Sequence, residues 1–488
     1  MTLRCLFVDF NSYFASVEQY DDPSLLGRPV AVVPVMSATT CCIAASYEAK
    51  AFGVKTGTPV WEALELCPDL TLREARPARY VAMHHRLMAA IEDCIPHGKA
   101  ESIDEVPCWL IGRERRRENA EAIARRIKQR FVDEGLSPAI RCSIGIAPNR
   151  FLAKTASDMQ KPDGLTVLED ADLPHALHGL ALREFCGIGP SMEQRLLRAG
   201  IRTVEQLCAA SRQQLRLAWG SVEGERYWLQ LRGHELPRPA EQRSSLGHSH
   251  VLGPELRSFD GARAVLFKLL AKAAMRLRHE GFVAGGLSIR IRFVGVEERF
   301  ERDMTFAALD DTPTLLGLLG EQLEALRGTD RLGRVRSRRH PPLSVAVTLT
   351  HLQARDAVTH ELLQPRGRAK ALSATLDSIN RRYGNNTLYF GAMQDAVTQD
   401  AAPMRIPFSN IPEASLEEDA VTTRKQVRDS GEELWLQRER QFKVMAELAH
   451  RQARTRPIKP TLPAAYGAGG WVRTQTDSDS DETAPSLF

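Results

Sequence analysis

The sequence lacks the features that would place the protein in a membrane or in an oxidising compartment. It has no apolar run near the roughly 18 residues that a membrane-spanning helix requires, and its first residues, MTLRC, lead into a predicted strand and not into a signal peptide. Its 9 cysteines are odd in number and form no CxxC pair, which argues against a disulfide framework and against a zinc site. We therefore expect a soluble, intracellular protein with no membrane contact.

The sequence also lacks a strong excess of one charge. The formal net charge of +4 is mild for a protein that binds nucleic acid, but it averages a basic middle region with an acidic C-terminus. With 488 residues the chain is too long for one hydrophobic core, and its apolar content of 43% is sufficient for well-packed domains. We expect three or four domains.

Residues 3–18, LRCLFVDFNSYFASVE, are the stretch around which the chain is organised. The apolar first half predicts a buried strand that ends at Asp9, and the polar residues that follow open a helix beginning with Tyr13 and Phe14. A carboxylate at a strand end beside two aromatic rings is unusual. The residues alone also allow both rings to be ordinary core residues of the helix.

A second acidic stretch suggests that Asp9 is part of a cluster of carboxylates. In residues 101–106, ESIDEV, the adjacent acids Asp104 and Glu105 interrupt another apolar strand at the bend of a predicted hairpin. Three carboxylates on neighbouring strand ends would repel one another unless a cation lies among them. The alternative is a hairpin tip whose acids are merely exposed.

Strands and amphipathic helices alternate from residue 77 to residue 168. The predicted elements are helices at 77–95 and 113–135, a strand at 139–146, a helix at 149–159 and a strand at 165–168. With two helices on one side of the strands, this order predicts a ferredoxin-like βαββαβ unit. Such a unit would bring Asp9 beside Asp104 and Glu105.

Three residues suit an anion near these carboxylates. A helix predicted from about Ser46 presents Tyr47 and Lys50 on one face of its first turn, and a phenol and an ammonium group at a helix N-terminus suit a polyphosphate. Lys161 lies in a turn fixed by a proline and a glycine. The residues alone also fit a half-buried tyrosine and two solvated lysines.

The segment 170–235 is predicted to be helical and contains a glycine-rich turn. Gly187 and Gly189 permit a tight turn whose N–H groups can approach a phosphate, and Pro190 opens the following helix. This is the helix-hairpin-helix pattern, which holds the DNA backbone without reading its sequence. A lone Gly-x-Gly also fits an ordinary connection between helices.

Beyond a polar linker at 236–243, further elements predict a second small βαβ-type sandwich. Its strands are expected at 245–251, 286–294 and 343–349, and its helices at 260–279 and 313–327. Arg290 and Arg292 share one strand face, and a loop contains Arg336 and Arg338, a spacing suited to tracking the phosphates of a duplex. A merely solvated arginine loop is the alternative.

The C-terminal part of the chain has weaker signals. A short helix is expected at about 371–383, and the charged stretch 419–455 is expected to be helical in part. The last residues, TQTDSDSDETAPSLF, have too little apolar content to fold alone, so we expect this end to be disordered.

Together, these stretches resemble the Y-family, or DinB/UmuC-type, translesion DNA polymerases. The match rests on residues 3–18 and 101–106, on YEAKAFGVKTG at 47–57 and on SIGIAPNRFLAKTASDMQKPDG at 143–164, and it extends to at least residue 250 and more loosely to about 355. The resemblance implies a multidomain α+β right-hand polymerase. Its parts would be a ferredoxin-like palm (1–20 and 76–168), a small fingers insertion (21–75), a helical thumb (169–235), a linker (236–243), a βαβ-type little finger (244–355) and a C-terminal extension (356–488).

The resemblance also implies an activity: template-directed DNA synthesis of low fidelity, in translesion synthesis and DNA repair, from primer–template DNA and deoxynucleoside triphosphates. The ligands of two Mg²⁺ ions would be Asp9, Asp104, Glu105 and the carbonyl of Phe10. The triphosphate contacts would be Tyr47, Lys50 and Lys161. Phe14 would exclude a 2′-hydroxyl group. Ala44 stands where many relatives carry a hydroxyl residue, so one phosphate hydrogen bond would be missing.

The same resemblance extends to partners. The final Leu487 and Phe488 resemble the Gln-x-x-Leu-Phe peptide that docks such polymerases on the sliding clamp, although the glutamine is absent, and a plain disordered terminus is the alternative. We expect a monomer in the cytoplasm, associated with the nucleoid. One rival function is a catalytically silent, clamp-associated scaffold of the same family, which would have lost the carboxylates. Another is a two-metal nucleotide cyclase, which would not need the helix-hairpin-helix or the second sandwich.

Overall fold

The computed structural model describes residues 2–237, 243–327, 340–358 and 367–420. Within these ranges, no helix combines the length and the apolar character needed to cross a bilayer. Several predictions fall outside them: most of the linker at 236–243, the loop with Arg336 and Arg338, the charged stretch beyond residue 420, and the terminal Leu487 and Phe488.

The first strand and helix lie where the sequence predicts them. β1 (Cys5–Phe10) is completely buried, and α1 (Tyr13–Asp21) follows it. An insertion then contains β2 (Val30–Val33), β3 (Ala44–Ala45), α2 (Tyr47–Ala51), α3 (Val60–Leu66) and β4 (Thr71–Glu74). The three strands of the insertion form a small sheet in the order β3-β2-β4 around their own apolar cluster.

The central unit resumes after the insertion. Its elements are α4 (Pro77–Glu92), β5 (Glu105–Trp109), α5 (Arg117–Asp133), β6 (Cys142–Ala147), α6 (Arg150–Met159) and β7 (Leu165–Val167). The sheet order is β5-β1-β6-β7, and β1 runs antiparallel to both of its neighbours. Strands and helices alternate as predicted, but in detail α5 separates β5 from β6, so these two strands do not follow one another directly.

β1 is fixed by packing on both of its faces, because successive side chains of a strand point to opposite sides. Leu6 and Val8 pack in one apolar cluster with α4 and α5. Phe7 packs in a second cluster with α6 and with the helical region that follows. This double burial sets the position of Asp9 at the end of the strand.

The helical region contains the predicted glycine turn. Its helices are α7 (Pro190–Arg198), α8 (Val204–Ala209), α9 (Arg212–Trp219) and α10 (Glu223–Gln230). Gly187 has a φ of 87°, in the left-handed region that favours glycine. Gly189 caps α7, and Pro190 is its first residue.

A second mixed unit follows. Its elements are β8 (Ser245–Val251), α11 (Phe259–His279), β9 (Phe282–Phe293), β10 (Arg299–Leu309), α12 (Thr312–Arg327), β11 (Pro342–Thr350) and β12 (Gln353–Ala354). The main sheet is antiparallel in the order β10-β9-β11-β8. The sequence did not predict β10, because most side chains of this edge strand are exposed or only half-buried and many are charged.

Residues 367–420 add α13 (Gly367–Tyr383), α14 (Gln394–Thr398) and α15 (Ala414–Glu417). Ala396 and Val397 belong to the apolar core of the second unit, whereas Met404 is buried in the core of the central unit. The extension, as far as residue 420, is therefore an integral part of the fold that connects the two units.

Candidate active site

Strand pairing brings Asp9 and Glu105 together. Their Cα atoms are register partners in the β1–β5 ladder, and directly opposed residues of an antiparallel pair have Cα atoms about 4.5–5.5 Å apart. Asp9 is only 3% exposed. Glu105 is the first residue of β5 and is half-buried, so the two carboxylates lie at one end of the central sheet.

Asp104 is held next to β1 by its main chain. The N–H of Phe10 donates to the carbonyl of Asp104 at 2.8 Å. The hydroxyl of Ser102 donates to the Asp104 carboxylate at 2.5 Å, and a bridge between Ser102 and Glu105 closes the turn. The structure therefore brings together the three acids that the sequence singles out.

Two lysines neutralise these acids. The ammonium group of Lys154, on α6, contacts Asp9 and lies 2.9 Å from Oε1 of Glu105. The ammonium group of Lys161 lies 2.5 Å from Oδ1 of Asp9. Both lysines also pair with Asp158, at 3.2 and 2.7 Å.

Sequence reasoning missed Lys154 and Asp158, although both lie inside the stretch 143–164 that it had singled out. Their i, i+4 spacing on one helix face was the available signal. This spacing could have indicated that Lys154 and Asp158 pair with each other. It could not have indicated that Lys154 also contacts Asp9 and Glu105, because these two acids come from distant parts of the chain.

Burial raises the pKa of two of the acids in the site, which favours their neutral forms. Burial raises the pKa of Asp104 above its ordinary value, against the hydrogen bond from Ser102. Burial also raises the pKa of Glu105, against the charge of Lys154. Burial alone would lower the pKa of Lys154, but the charges of Asp9 and Glu105 outweigh it and raise the pKa. The site therefore favours additional positive charge.

The donor set suits divalent ions that prefer oxygen ligands, because the carboxylates of Asp9, Asp104 and Glu105 lie together, and Phe10, whose carbonyl is the further predicted ligand, directly follows Asp9. In the part of the chain that the structure describes, no group of acids, histidines and cysteines stands ready as a metal cluster. The lysines contact both oxygens of Asp9, and the hydroxyl of Ser102 donates to Asp104. Positive charge already lies against these carboxylates, and their oxygen donors fit divalent metal ions in charge and in chemistry.

Tyr47 and Lys50 lie on the insertion, next to the carboxylates. Ser46 caps α2 with its hydroxyl group, which fixes the first turn. The ammonium group of Lys50 donates to the hydroxyl of Ser12 at 2.8 Å and lies 4.3 Å from the centre of the Tyr47 ring. Burial and the charge of Lys161 lower the pKa of Lys50, so Lys50 and Lys161 border the same region beside Asp9.

Phe14 lies among other aromatic rings and is 4% exposed. Its ring stacks on Tyr80 with centroids 4.4 Å apart. Phe408 of the C-terminal extension lies 5.7 Å away. Packing of this kind fits a core residue, and it equally fits a rigid wall at the edge of the site.

The predicted DNA contacts lie on two surfaces. Gly187 and Gly189 form the exposed turn before α7. Arg290 and Arg292 are exposed on one face of β9 as predicted, and Arg290 pairs with Glu301 of β10 at 2.5 Å. Glu301 of the neighbouring strand therefore neutralises part of the predicted basic face of β9.

Comparison with known proteins gives a consistent result. A sequence model of the impB/mucB/samB family matches residues 8–158, which include Asp9, Asp104 and Glu105. A second model, of the C-terminal domain of that family, matches residues 243–362.

Relatives and solved structures agree with this match. A DNA polymerase IV of Moorella thermoacetica is 38% identical over 296 residues, which cover 59% of this chain and 72% of that protein. A DNA polymerase IV of Pelotomaculum thermopropionicum is 31% identical over 394 residues, which cover 79% of this chain and 94% of that protein. A Y-family DNA polymerase chimera of Dbh and Dpo4 has a TM-score of 0.59 at 24% identity, over 71% of this chain and 98% of that one, which supports the fold. The chain belongs to the impB/mucB/samB family and is a Y-family, DinB-type DNA polymerase.

Proposed function

We propose that the protein extends a primer on a DNA template by two-metal nucleotidyl transfer, with the low fidelity of translesion synthesis. The observation that carries the proposal is the convergence of Asp9, Asp104 and Glu105 at one end of the sheet, with two ammonium groups against them. Crowding three carboxylates costs free energy through repulsion and desolvation. A catalytically silent scaffold would gain nothing from three crowded carboxylates that destabilise the fold.

Asp9, Asp104 and Glu105 would hold two Mg²⁺ ions, with the carbonyl of Phe10 as a further ligand. When bound, the ions would lower the pKa of the primer 3′-hydroxyl group and neutralise charge on the triphosphate. The contribution of the protein is to fix the donors, since the ladder holds Asp9 opposite Glu105 and the N–H of Phe10 holds Asp104. Lys154 compensates the same carboxylates.

The incoming nucleotide would lie between the insertion and the carboxylates. We assign its triphosphate to Tyr47, Lys50 and Lys161, because a phenol and two ammonium groups border the region beside Asp9. Its sugar would lie against Phe14. The ring of Phe14 is backed by Tyr80, so it cannot retreat to make room for a 2′-hydroxyl group.

We assign residues 1–20 and 76–168 to the palm, 21–75 to the fingers, 169–235 to the thumb and 244–355 to the little finger, with 236–243 as linker and 356–488 as extension. The turn at Gly187 and Gly189 and the exposed Arg290 and Arg292 would contact phosphates of the primer–template duplex. Such contacts give affinity that depends on salt and not on sequence. The contacts of Arg336 and Arg338 stay predictions.

Three further assignments also stay predictions. They are docking on the sliding clamp through Leu487 and Phe488, a monomeric state, and a cytoplasmic location at the nucleoid, where the DNA substrate lies.

Primer extension tests the proposal directly. With a labelled primer, a DNA template and Mg²⁺, we expect the protein to add deoxynucleotides, and Asp104→Ala to slow the addition about 100- to 1,000-fold, the range for one lost electrostatic contact to a transition state. Glu118→Gln, which changes an exposed acid on α5, serves as the matched control and should extend normally. Normal extension by Asp104→Ala, or none by the unmodified protein, would reject the proposal.

A further inference from the structure

A segment of the C-terminal extension crosses from the second unit to the palm. We call residues 403–411 the clasp. Just before it, Ala401 and Ala402 are buried in the core of the little finger. Within it, Met404 is buried in the palm core, and Ile406 and Ile411 pack against the same core. The clasp therefore lies on the palm although its attachment is on the little finger.

The clasp reaches the catalytic turn. The N–H of Ile103, the residue directly before Asp104, donates to the carbonyl of Phe408 at 2.9 Å. The ring of Phe408 lies 5.7 Å from the ring of Phe14 and is tilted by 52° to it. Tyr80 already stacks on one face of Phe14, so Phe408 contacts the Phe14 ring from a second direction.

Buried cations of α11 anchor the clasp at its little-finger end. The ammonium group of Lys272 donates to the carbonyls of Ala402 and Pro403 at 2.8 and 2.6 Å. Arg405 of the clasp pairs with Glu417 at 3.0 Å, and Glu417 in turn pairs with Arg276 of α11 at 3.2 Å. Because these contacts are largely shielded from water, they restrain the clasp more strongly than surface ion pairs would.

Phe408 differs from the other apolar residues of this crossing. Met404 is 3% exposed, but Phe408 is 48% exposed. Its main chain is fixed next to the residue before Asp104 and its ring lies against Phe14, yet about half of this large apolar side chain is exposed. Core packing alone does not account for this position.

We propose that Phe408 is a positioning residue for sugar selection, which holds the ring of Phe14 in place as the wall against a 2′-hydroxyl group. The inference rests on the proposed contact between Phe14 and the sugar. A wall discriminates between two sugars that differ by one oxygen only if it does not yield, and a ring packed from two directions yields less than a ring packed from one. The C-terminal extension would then contribute a residue to the active site.

Single-nucleotide insertion kinetics with matched deoxy- and ribonucleoside triphosphates test this inference. The quantity of interest is the ratio of kcat/KM for the two sugars, because a merely structural change lowers both values together. We expect Phe408→Ala to reduce the ratio about threefold to tenfold, which corresponds to one aromatic pair contact. Phe408→Tyr keeps the ring and should restore the ratio. Tyr383→Ala, which removes an exposed ring elsewhere on the extension, should leave the ratio unchanged.

The outcomes separate this inference from the proposed function. If Phe14→Ala loses discrimination while Phe408→Ala keeps it, the inference is overturned and the proposed function stands. If Phe14→Ala also keeps discrimination, the proposed sugar contact fails and the inference fails with it. A lower KM for deoxynucleotides in Phe408→Ala, at an unchanged ratio, would make Phe408 an obstruction and overturn the inference. Should Phe408→Ala not fold, as judged by thermal unfolding, Phe408→Leu is measured against the same criteria.

Discussion

Asp9 and Glu105 face each other on neighbouring strands, and the ammonium group of Lys154 lies against both of their carboxylates. Lys161 approaches Asp9 from the turn after α6. Carboxylates this close can stay ionised and buried only beside positive charge. The two lysines therefore meet in the folded chain the same electrostatic requirement that metal ions would meet during catalysis.

Replacing Lys154 should make the stability of the protein depend on Mg²⁺. The side chain of Lys154 is 13% exposed, and removing one partner of a buried ion pair costs about 3–5 kcal/mol. We expect Lys154→Met to lower the melting temperature without metal. Mg²⁺ should then raise it by more than it raises that of the unmodified protein, because a ligand that binds only the folded state stabilises it. Thermal unfolding with chelator and with saturating Mg²⁺ measures the difference.

Lys128→Met is the matched control for this experiment. Lys128 pairs with Asp163 at 2.6 Å, a carboxylate outside the cluster of Asp9, Asp104 and Glu105. Its loss should leave the response to Mg²⁺ unchanged. An equal response in Lys154→Met and the unmodified protein would contradict the idea that this lysine stands in for a cation.

Lys50→Met should weaken the use of deoxynucleotides. The ammonium group of Lys50 is held by Ser12 and by the ring of Tyr47, and a hydrogen bond to a charged group contributes about 1.5–3 kcal/mol. We expect kcat/KM for the incoming nucleotide to fall about tenfold to a hundredfold, mostly through KM. Steady-state insertion kinetics at varied nucleotide concentration measure this. Lys55→Met, at an exposed position of the same insertion, should behave normally, and an unchanged KM in Lys50→Met would remove Lys50 from the triphosphate site.

The sequence predicted elements where burial imposes a clear pattern. β1 is an apolar strand that is buried throughout, and its end could be identified because Asp9 breaks the apolar run. β8 occupies the predicted residues 245–251, since its side chains alternate between exposed and buried. The order of strands and helices predicted that Asp9 would lie beside Asp104 and Glu105. The role of these acids as metal ligands required more than a pattern, and it followed from the resemblance to a family in which those motifs occur together.

The remaining features depend on contacts between distant segments. β10 lies at a sheet edge with one solvated side, so its sequence carries no apolar alternation. The position of Lys154 between two acids depends on the packing of α6 against β1. The contact between Phe14 and Phe408 joins residues from near the two ends of the described chain. No local pattern could have indicated it.

His84 should make the protein less stable in mild acid. This buried imidazole bonds through Nδ1 to the carbonyl of Ile103 at 2.8 Å, beside Asp104, and burial lowers its pKa from 6.5 to about 4. Between these values the unfolded chain binds more protons than the folded one, so stability falls as pH falls. At 1.36 kcal/mol per pH unit, the loss from His84 should be about 2 kcal/mol at pH 5.

His84→Asn isolates this contribution, because asparagine can donate to the same carbonyl but does not titrate. Denaturant unfolding between pH 7 and pH 5 should show a shallower loss of stability in this variant than in the unmodified protein. His85→Asn, at the exposed neighbouring position, is the control and should follow the unmodified protein. Parallel curves for His84→Asn and the unmodified protein would show that the fold does not lower the pKa of His84, because the imidazole would then take up its proton in the folded and the unfolded state alike.

Asp419→Asn should detach the C-terminal extension from the little finger. The carboxylate of Asp419 lies 2.6 Å from the ammonium group of Lys268 and 2.9 Å from that of Lys272, and all three side chains are buried. Burial would raise the pKa of Asp419, but the charges of Lys272 and Lys268 outweigh it and hold the pKa below its ordinary value. Without that charge two buried ammonium groups lose the carboxylate they share, and removing one partner of a buried ion pair costs about 3–5 kcal/mol. We expect a lower melting temperature in this variant. We also expect amide hydrogen exchange to speed up more in α11 and in residues 401–420 than in the palm sheet.

Asp395→Asn, on the exposed side of α14, is the control and should change neither the melting temperature nor the exchange. Equal exchange in Asp419→Asn and the unmodified protein would mean that apolar packing alone holds the extension, because the buried charges would then contribute nothing to its attachment.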